Sequence, residues 1–303
     1  MSHFERKRLG RIGIAVVGAA AALTIGLWAQ AAAAQPSAPA QRIAAPPTSA
    51  GTPTAGGGGS RINIVAKEYS FDAPSTVSTG IVTMTLQNQG AEPHHAQLVR
   101  LNDGVTAEAF GGALMQGPEA AFPLVSFEGG PSVVGTGGSA QVTLDLAAGN
   151  YMMLCFVENE EGVPHLALGM IKPFQVAPPP STAQAPQASG EVILKDFSFE
   201  VPTIQAGERT LKVTNQGPQA HEMAVVRADA PLEQVMQALA NLDEEPPFEI
   251  ADFGGMQAID AGKSGWVTMN FTPGSYVLFC FVPDPETGLP HVELGMVDAF
   301  SVE

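Results

Sequence analysis

Gly149-Asn-Tyr-Met-Met-Leu-Cys155-Phe-Val-Glu-Asn-Glu-Glu-Gly-Val-Pro-His165-Leu-Ala-Leu-Gly-Met170 and Gly274-Ser-Tyr-Val-Leu-Phe-Cys280-Phe-Val-Pro-Asp-Pro-Glu-Thr-Gly-Leu-Pro-His291-Val-Glu-Leu-Gly-Met296 are one segment written twice. Each opens on Gly-x-Tyr-x-x-x-Cys, an apolar run of strand length. Each continues through a loop rich in Gly, Pro and acidic residues to Pro-His, and ends on Gly-Met. A cysteine at a strand end with a His and a Met on the following loop puts three metal-binding side chains on one short piece of chain.

The repetition extends outward on both sides. Lys67-Glu-Tyr-Ser-Phe71-Asp-Ala-Pro74 matches Lys195-Asp-Phe-Ser-Phe199-Glu-Val-Pro202, and Asn88-Gln-Gly90 matches Asn215-Gln-Gly217. His94 matches His221, and Gly129-Gly130 matches Gly254-Gly255. At this period, with a Pro-rich stretch between copies, the repeating unit is a whole domain. We therefore place one domain at 61–176 and a second at 190–303, joined by a linker at 177–189 and expected to fold separately.

Within each copy, runs such as Ile81–Leu86, Val142–Leu146, Thr210–Thr214 and Val267–Phe271 alternate apolar and polar residues, the period of a half-buried strand. Turn signals separate them. Leu232, Val235, Met236 and Leu239 lie at helical spacing, with a weaker counterpart over Thr106–Leu114. The fold class is all-β: two tandem antiparallel β-sandwiches, each with one short helix inserted.

The first 34 residues read differently. Arg6, Lys7, Arg8 and Arg11 precede an apolar run from Ile12 to Trp28 and then small residues, the three parts of a secretory signal peptide. A retained single anchor is the alternative. Residues 35–60, rich in Ala, Pro, Ser, Thr and Gly, read as a flexible tether. The expected location is periplasmic or extracellular. The whole chain carries a formal charge of −16, and removing the leader's net +3 leaves −19. Such acidity argues against nucleic acid or anionic membrane as partners and suits a redox partner with a basic surface.

The chain has two cysteines and six histidines. His3 lies in the leader, and the others fall at the two repeated loops. In each copy the order is His, about 60 residues, Cys, a short loop, His, four residues, Met. An exported chain with two cysteines suggests a disulfide, but Cys155 and Cys280 hold the same internal position in two homologous blocks, so a bridge would have to join two cores. Copper accounts for the set. A thiolate and two imidazoles in a plane, with a thioether as weak axial ligand, form an electron-transfer copper site. Of the adjacent His94 and His95, the repeat selects His94, because Glu222 stands at the second position in copy two. His95 is then expected to face solvent, since adjacent strand residues point to opposite faces.

Each copy resembles a cupredoxin domain, the family of plastocyanin, azurin and the copper domains of nitrite reductases. The resemblance rests on Gly-x-Tyr-x-x-x-Cys, Pro-His, Gly-Met and the upstream Asn-x-Gly with its His, and covers nearly all of 61–176 and 190–303. It implies Greek-key sandwiches and one type 1 (blue) copper ion per domain. The ligands it implies are His94, Cys155, His165 and Met170, and His221, Cys280, His291 and Met296. The Cys-to-His loop is longer than in the small carriers and closer to that of nitrite reductases. The function expected is electron transfer, with copper sequestration or delivery, or a metal-free binding module, as the alternative. A two-domain copper oxidase or nitrite reductase is disfavoured. Leu154 and Phe279 precede the cysteines where a linking His is needed, and no His-x-His occurs. We therefore expect no enzymatic activity.

Overall fold

The computed structural model describes residues 61–239, 247–248 and 250–303. The leader and tether readings fall outside that range. The first copy supplies strands β1 (Arg61–Lys67), β2 (Ser70–Asp72), β3 (Thr76–Ser78), β4 (Gly80–Asn88), β5 (Gln97–Leu101), β6 (Val125–Gly129), β7 (Ser139–Leu146), β8 (Gly149–Leu154) and β9 (Ile171–Ala177). The second supplies β10 (Gly190–Lys195), β11 (Ser198–Glu200), β12 (Gly207–Asn215), β13 (His221–Ala228), β14 (Ile250–Ile259), β15 (Ser264–Phe271), β16 (Gly274–Phe279) and β17 (Val297–Val302). Helix α1 (Ala107–Leu114) and one helical turn, α2 (Pro118–Ala121), interrupt the first copy, and α3 (Leu232–Leu239) the second.

Two sheets form, in the orders β11-β10-β12-β15-β7-β4-β1-β2 and β17-β16-β13-β14-β6-β5-β8-β9-β3. Neighbours in the sheets are often distant in sequence, as Greek-key connections require. Pairing is antiparallel except for β1–β4, β3–β9 and β10–β12, which run parallel. The expected alternation holds where one face meets water: in β4, Val82, Met84 and Leu86 are buried between less buried neighbours. It fails in β8, buried along Tyr151–Leu154 on both faces. Tyr151 and Met153 join the core between the sheets. Met152 and Leu154 pack on the other side with Phe110, Ala113 and Leu114 of α1. Thr106 caps α1, its Oγ1 accepting from the Ala109 N–H at 3.1 Å. In the second copy Val235 of α3 covers Val226, Val277 and Phe279 in the same way. The inserted helix thus seals the outer face of the sheet whose cysteine strand has no polar side.

Gly-x-Tyr closes the turn into each cysteine strand. The Tyr151 hydroxyl donates to the Ala147 carbonyl at 2.8 Å, and Tyr276 to Thr272 at 2.8 Å. Both tyrosines are fully buried, so the hydroxyl needs this partner.

The two copies share both sheets. β7 pairs with β15, and Val142 faces Val267, its own counterpart. In the other sheet Pro131 bridges Met256, its counterpart after the Gly-Gly pair. The copies are therefore related by a pseudo-two-fold axis that crosses both layers. Further bonds span it: Asp260 N–H to the Phe127 carbonyl at 3.1 Å, the Phe127 N–H to Asp260 Oδ2 at 3.0 Å, and Lys263 Nζ to Glu128 Oε1 at 2.7 Å. One cluster of buried side chains runs through both copies. The separate folding expected from the linker is not what this pairing favours, because either copy alone would expose two open strand edges.

Candidate metal centres

Each site is assembled from one segment and one distant loop. β8 delivers Cys155 just past its last residue, and the chain then folds back on itself. The His165 N–H bonds the Val157 carbonyl (2.8 Å), Leu166 N–H bonds the Cys155 carbonyl (2.9 Å), and Met170 N–H bonds the His165 carbonyl (2.9 Å). The Cys155 N–H reaches the Met170 carbonyl at 3.3 Å. The second copy repeats these bonds at Cys280, His291 and Met296 within 0.1 Å: 2.9, 2.8, 2.9 and 3.3 Å. The extra loop residue before His291 is absorbed without moving the ligand frame. Met170 and Met296 are fully buried and tied by their backbones to the other candidate ligands.

The distant histidine is placed by the Asn-Gln-Gly turn. Asn88 is buried, its Oδ1 accepts from the Gly90 N–H, and its amide donates to the carbonyls of Glu92 and Val134 at 2.7 and 3.0 Å. That satisfies the side chain and fixes the loop carrying His94. Asn215 does the same for His221. A Cβ on Gly90 would lie 2.3 Å from Glu68 Oε1 and 2.8 Å from His94 Nε2. Only glycine leaves room there for the carboxylate beside the imidazole.

His94, Cys155 and His165 then bring one ligand atom each within 4.8 Å of one another, as do His221, Cys280 and His291, and all six are buried. These are the two such clusters among the described residues. His94 Nδ1 lies 3.1 Å from His165 Nδ1, which lies 3.5 Å from the Cys155 sulfur. The corresponding distances in copy two are 3.0 and 3.4 Å. With metal–imidazole bonds of about 2.0 Å and metal–thiolate bonds of about 2.3 Å, three ligands in a trigonal plane stand about 3.5 Å (N to N) and about 3.7 Å (N to S) apart. These two sides of each triangle lie just inside those values and the third is within 4.8 Å, so the donor set fits a first-row ion. One thiol and two imidazoles with a buried Met at hand are the donors of a type 1 copper site, one per copy.

Burial governs the protons. It pushes the Cys155 thiol up to about 12 and Cys280 well above its ordinary value, although backbone N–H groups of His95 and Val157 point at the first sulfur. Burial also lowers all four imidazoles, His94 and His291 to about 4. The far nitrogens face polar groups. His94 Nε2 is 3.6 Å from Glu68, His165 Nε2 is 3.0 Å from Glu92, His221 Nε2 is 2.5 Å from Asp196, and His291 Nε2 is 3.0 Å from Gln219. The ring of Tyr69, whose backbone sits at φ 42°, meets His165 edge-on at 5.0 Å, and Phe197 meets His291 at 4.8 Å. The Lys-Glu-Tyr and Lys-Asp-Phe motifs were visible as repeats. Their role over the sites needed the hairpin to fold across the loops.

His95 corrects an expectation: it is only 6% exposed. Its segment is not regular strand, so alternation does not turn it outward. Its Nε2 accepts the Phe156 N–H at 2.6 Å, and Glu222 accepts the Phe281 N–H at 2.7 Å in copy two. Both side chains satisfy the N–H that follows the cysteine. His95→Leu should therefore cost about 1–3 kcal/mol, the price of a buried donor left unpaired, and leave copper uptake intact. Thermal unfolding alongside copper titration checks this; unchanged stability contradicts the role.

No family model and no curated protein matches the chain. Among solved structures it is similar to dithionite-reduced auracyanin from Roseiflexus castenholzii, at 28% identity over 40% of this chain and 100% of that one, TM-score 0.27. It is similar to auracyanin A, a blue copper protein from Chloroflexus aurantiacus, at 23% identity over 39% and 98%, TM-score 0.26. It is similar to a multicopper oxidase at 16% identity over 80% and 88%, TM-score 0.24.

Proposed function

We propose that this chain is an exported copper protein that carries electrons, with one type 1 centre in each copy. The first is ligated by His94, Cys155, His165 and Met170, and the second by His221, Cys280, His291 and Met296. The observation that carries the reading is the buried triangle of two Nδ1 atoms and one sulfur, built twice with the same backbone bonds. Copper bound there supplies a one-electron couple. The chain contributes rigidity: His221 and His291 are held by hydrogen bonds at their far nitrogens, His94 and His165 face carboxylates there, each cysteine is locked to its loop, and the burial of every ligand excludes water. A frame of this kind needs little rearrangement when the charge at its centre changes. The leader supports export to the periplasm or beyond, and the net charge supports a partner with a basic surface.

We also propose that the protein turns over no substrate. Of the five histidines in the described residues, four are assigned as ligands and His95 is engaged with Phe156.

Copper titration of the purified chain, with metal content, visible spectrum and proton release recorded, tests the reading. Two coppers per chain and a strong thiolate-to-copper band are expected. Each copper must displace the proton of a thiol that burial holds high, at about 12 for Cys155, while burial lowers all four imidazoles, His94 and His291 to about 4, and so leaves them neutral above pH 7. About one proton should leave per copper between pH 7 and 9, and apparent affinity should rise about tenfold per pH unit there. Binding without a charge-transfer band would favour sequestration or delivery; no tight binding would overturn the reading.

A further inference from the structure

The outer surroundings of the two centres differ at one matched position on the cysteine-loop histidine. In the first copy Glu92 Oε2 stands 3.0 Å from His165 Nε2, in ion-pair reach but off the hydrogen-bond axis, and neither atom has another hydrogen-bond partner. In the second copy Gln219 takes this place, two residues after Gly217 as Glu92 is two after Gly90. Gln219 Oε1 meets His291 Nε2 at 3.0 Å, and its amide nitrogen donates to Asp284 Oδ1 at 2.9 Å. Asp284 is held in turn by the Thr287 N–H and hydroxyl at 2.8 and 2.7 Å. A carboxylate is thus present on both sides, but in the second copy a neutral amide is interposed between it and the imidazole. The other histidine faces a carboxylate in both copies, Glu68 or Asp196.

A carboxylate against the far N–H of a ligating imidazole raises the basicity of that ligand and adds negative charge, both of which favour the more highly charged metal ion. An amide at the same distance orients the ring and adds no net charge. Resting on the copper reading above, we propose that Glu92 and Gln219 set the two centres at different reduction potentials, the first lower, so that a single electron shared by the chain resides on the second. Both residues are positioning groups that act through a ligand. Glu222, the buried carboxyl beside His221, acts in the opposite sense and is controlled by comparison with Glu222→Gln.

The test is redox titration of the copper band in the full chain, with Cys280→Ser or Cys155→Ser used to read one centre at a time. Glu92→Gln should shift the reduction equilibrium of the first centre about tenfold toward the reduced form, which is 59 mV for one electron. Gln219→Glu should shift the second by about as much in the opposite direction. A merely structural role predicts lost stability or copper without opposed shifts. Copper bound at both centres with potentials that do not move, or that move in the same direction, overturns this inference and leaves the copper reading standing. Failure of the parent chain to bind copper overturns both.

Discussion

Cys155→Ser is expected to remove one of the two coppers and about half of the visible absorbance, with Cys280→Ser removing the other half and the double variant both. Each sulfur is the only thiol in its copy and is fully buried at the meeting point of its cluster. A serine hydroxyl is a hard, protonated donor and cannot provide the charge-transfer transition of a thiolate. Changing groups one shell further out costs 10–100-fold in metal affinity, so loss of the thiolate itself should exceed about 100-fold. The fold should survive, because the backbone N–H groups that point at the Cys155 sulfur can donate to a hydroxyl in the same place. Metal analysis and the spectrum of each variant after titration decide the matter. A double variant that keeps two tightly bound coppers and an unchanged spectrum would show that the cysteines are not ligands.

The parts of this site that could be read in the sequence are those fixed by short stretches of chain. Cys155, His165 and Met170 lie within one loop, so their spacing already implies convergence, and the second copy repeats it. The distant His94 was legible because the Asn-Gln-Gly turn before it recurs, and the structure gives that turn its task through the buried amide of Asn88. Glu92 and Gln219 carry no such signal, and the acidic residue that recurs as Glu68 and Asp196 shows nothing of its task. Acidic and amide residues near turns are ordinary surface residues until a hairpin brings them against an imidazole. His95 departs from strand alternation because the chain there makes only an isolated bridge, His94 to Val134. The joining of the sheets was beyond sequence reasoning. β7 and β15 read as strands with polar neighbours, and nothing local says that each will find the other's edge.

Gly130→Ala and Gly255→Ala should be among the most destabilising single substitutions in the chain. Both glycines lie where the second sheet passes from one copy to the other: Gln257 N–H donates to the Gly130 carbonyl at 2.8 Å, and Ser132 N–H to the Gly255 carbonyl at 3.3 Å. Their φ angles are +134° and +118°, outside the range that L side chains ordinarily adopt. A Cβ would fall 1.9 Å from the Ala96 carbonyl oxygen in the first case and 2.0 Å from that of Met223 in the second. These are backbone atoms, so no rotamer change relieves the clash. Strain of this kind costs of order 1–3 kcal/mol before the clash is counted, and the total should exceed about 3 kcal/mol. Gly137→Ala separates the two contributions: its φ is +75° and a Cβ there meets nothing within 4 Å, so it should cost about 1 kcal/mol. Ala96 and Met223 each follow a candidate ligand by two residues, so the displacement also reaches His94 and His221. Because both copies share two sheets and one core, either variant should lower a single unfolding transition, by roughly 6–12 °C for 3 kcal/mol, and should weaken copper binding in its own copy first. Calorimetry of the three variants settles this. Equal losses for Gly130→Ala and Gly137→Ala would mean that the close approach of Gly130 to the Ala96 carbonyl carries no cost of its own.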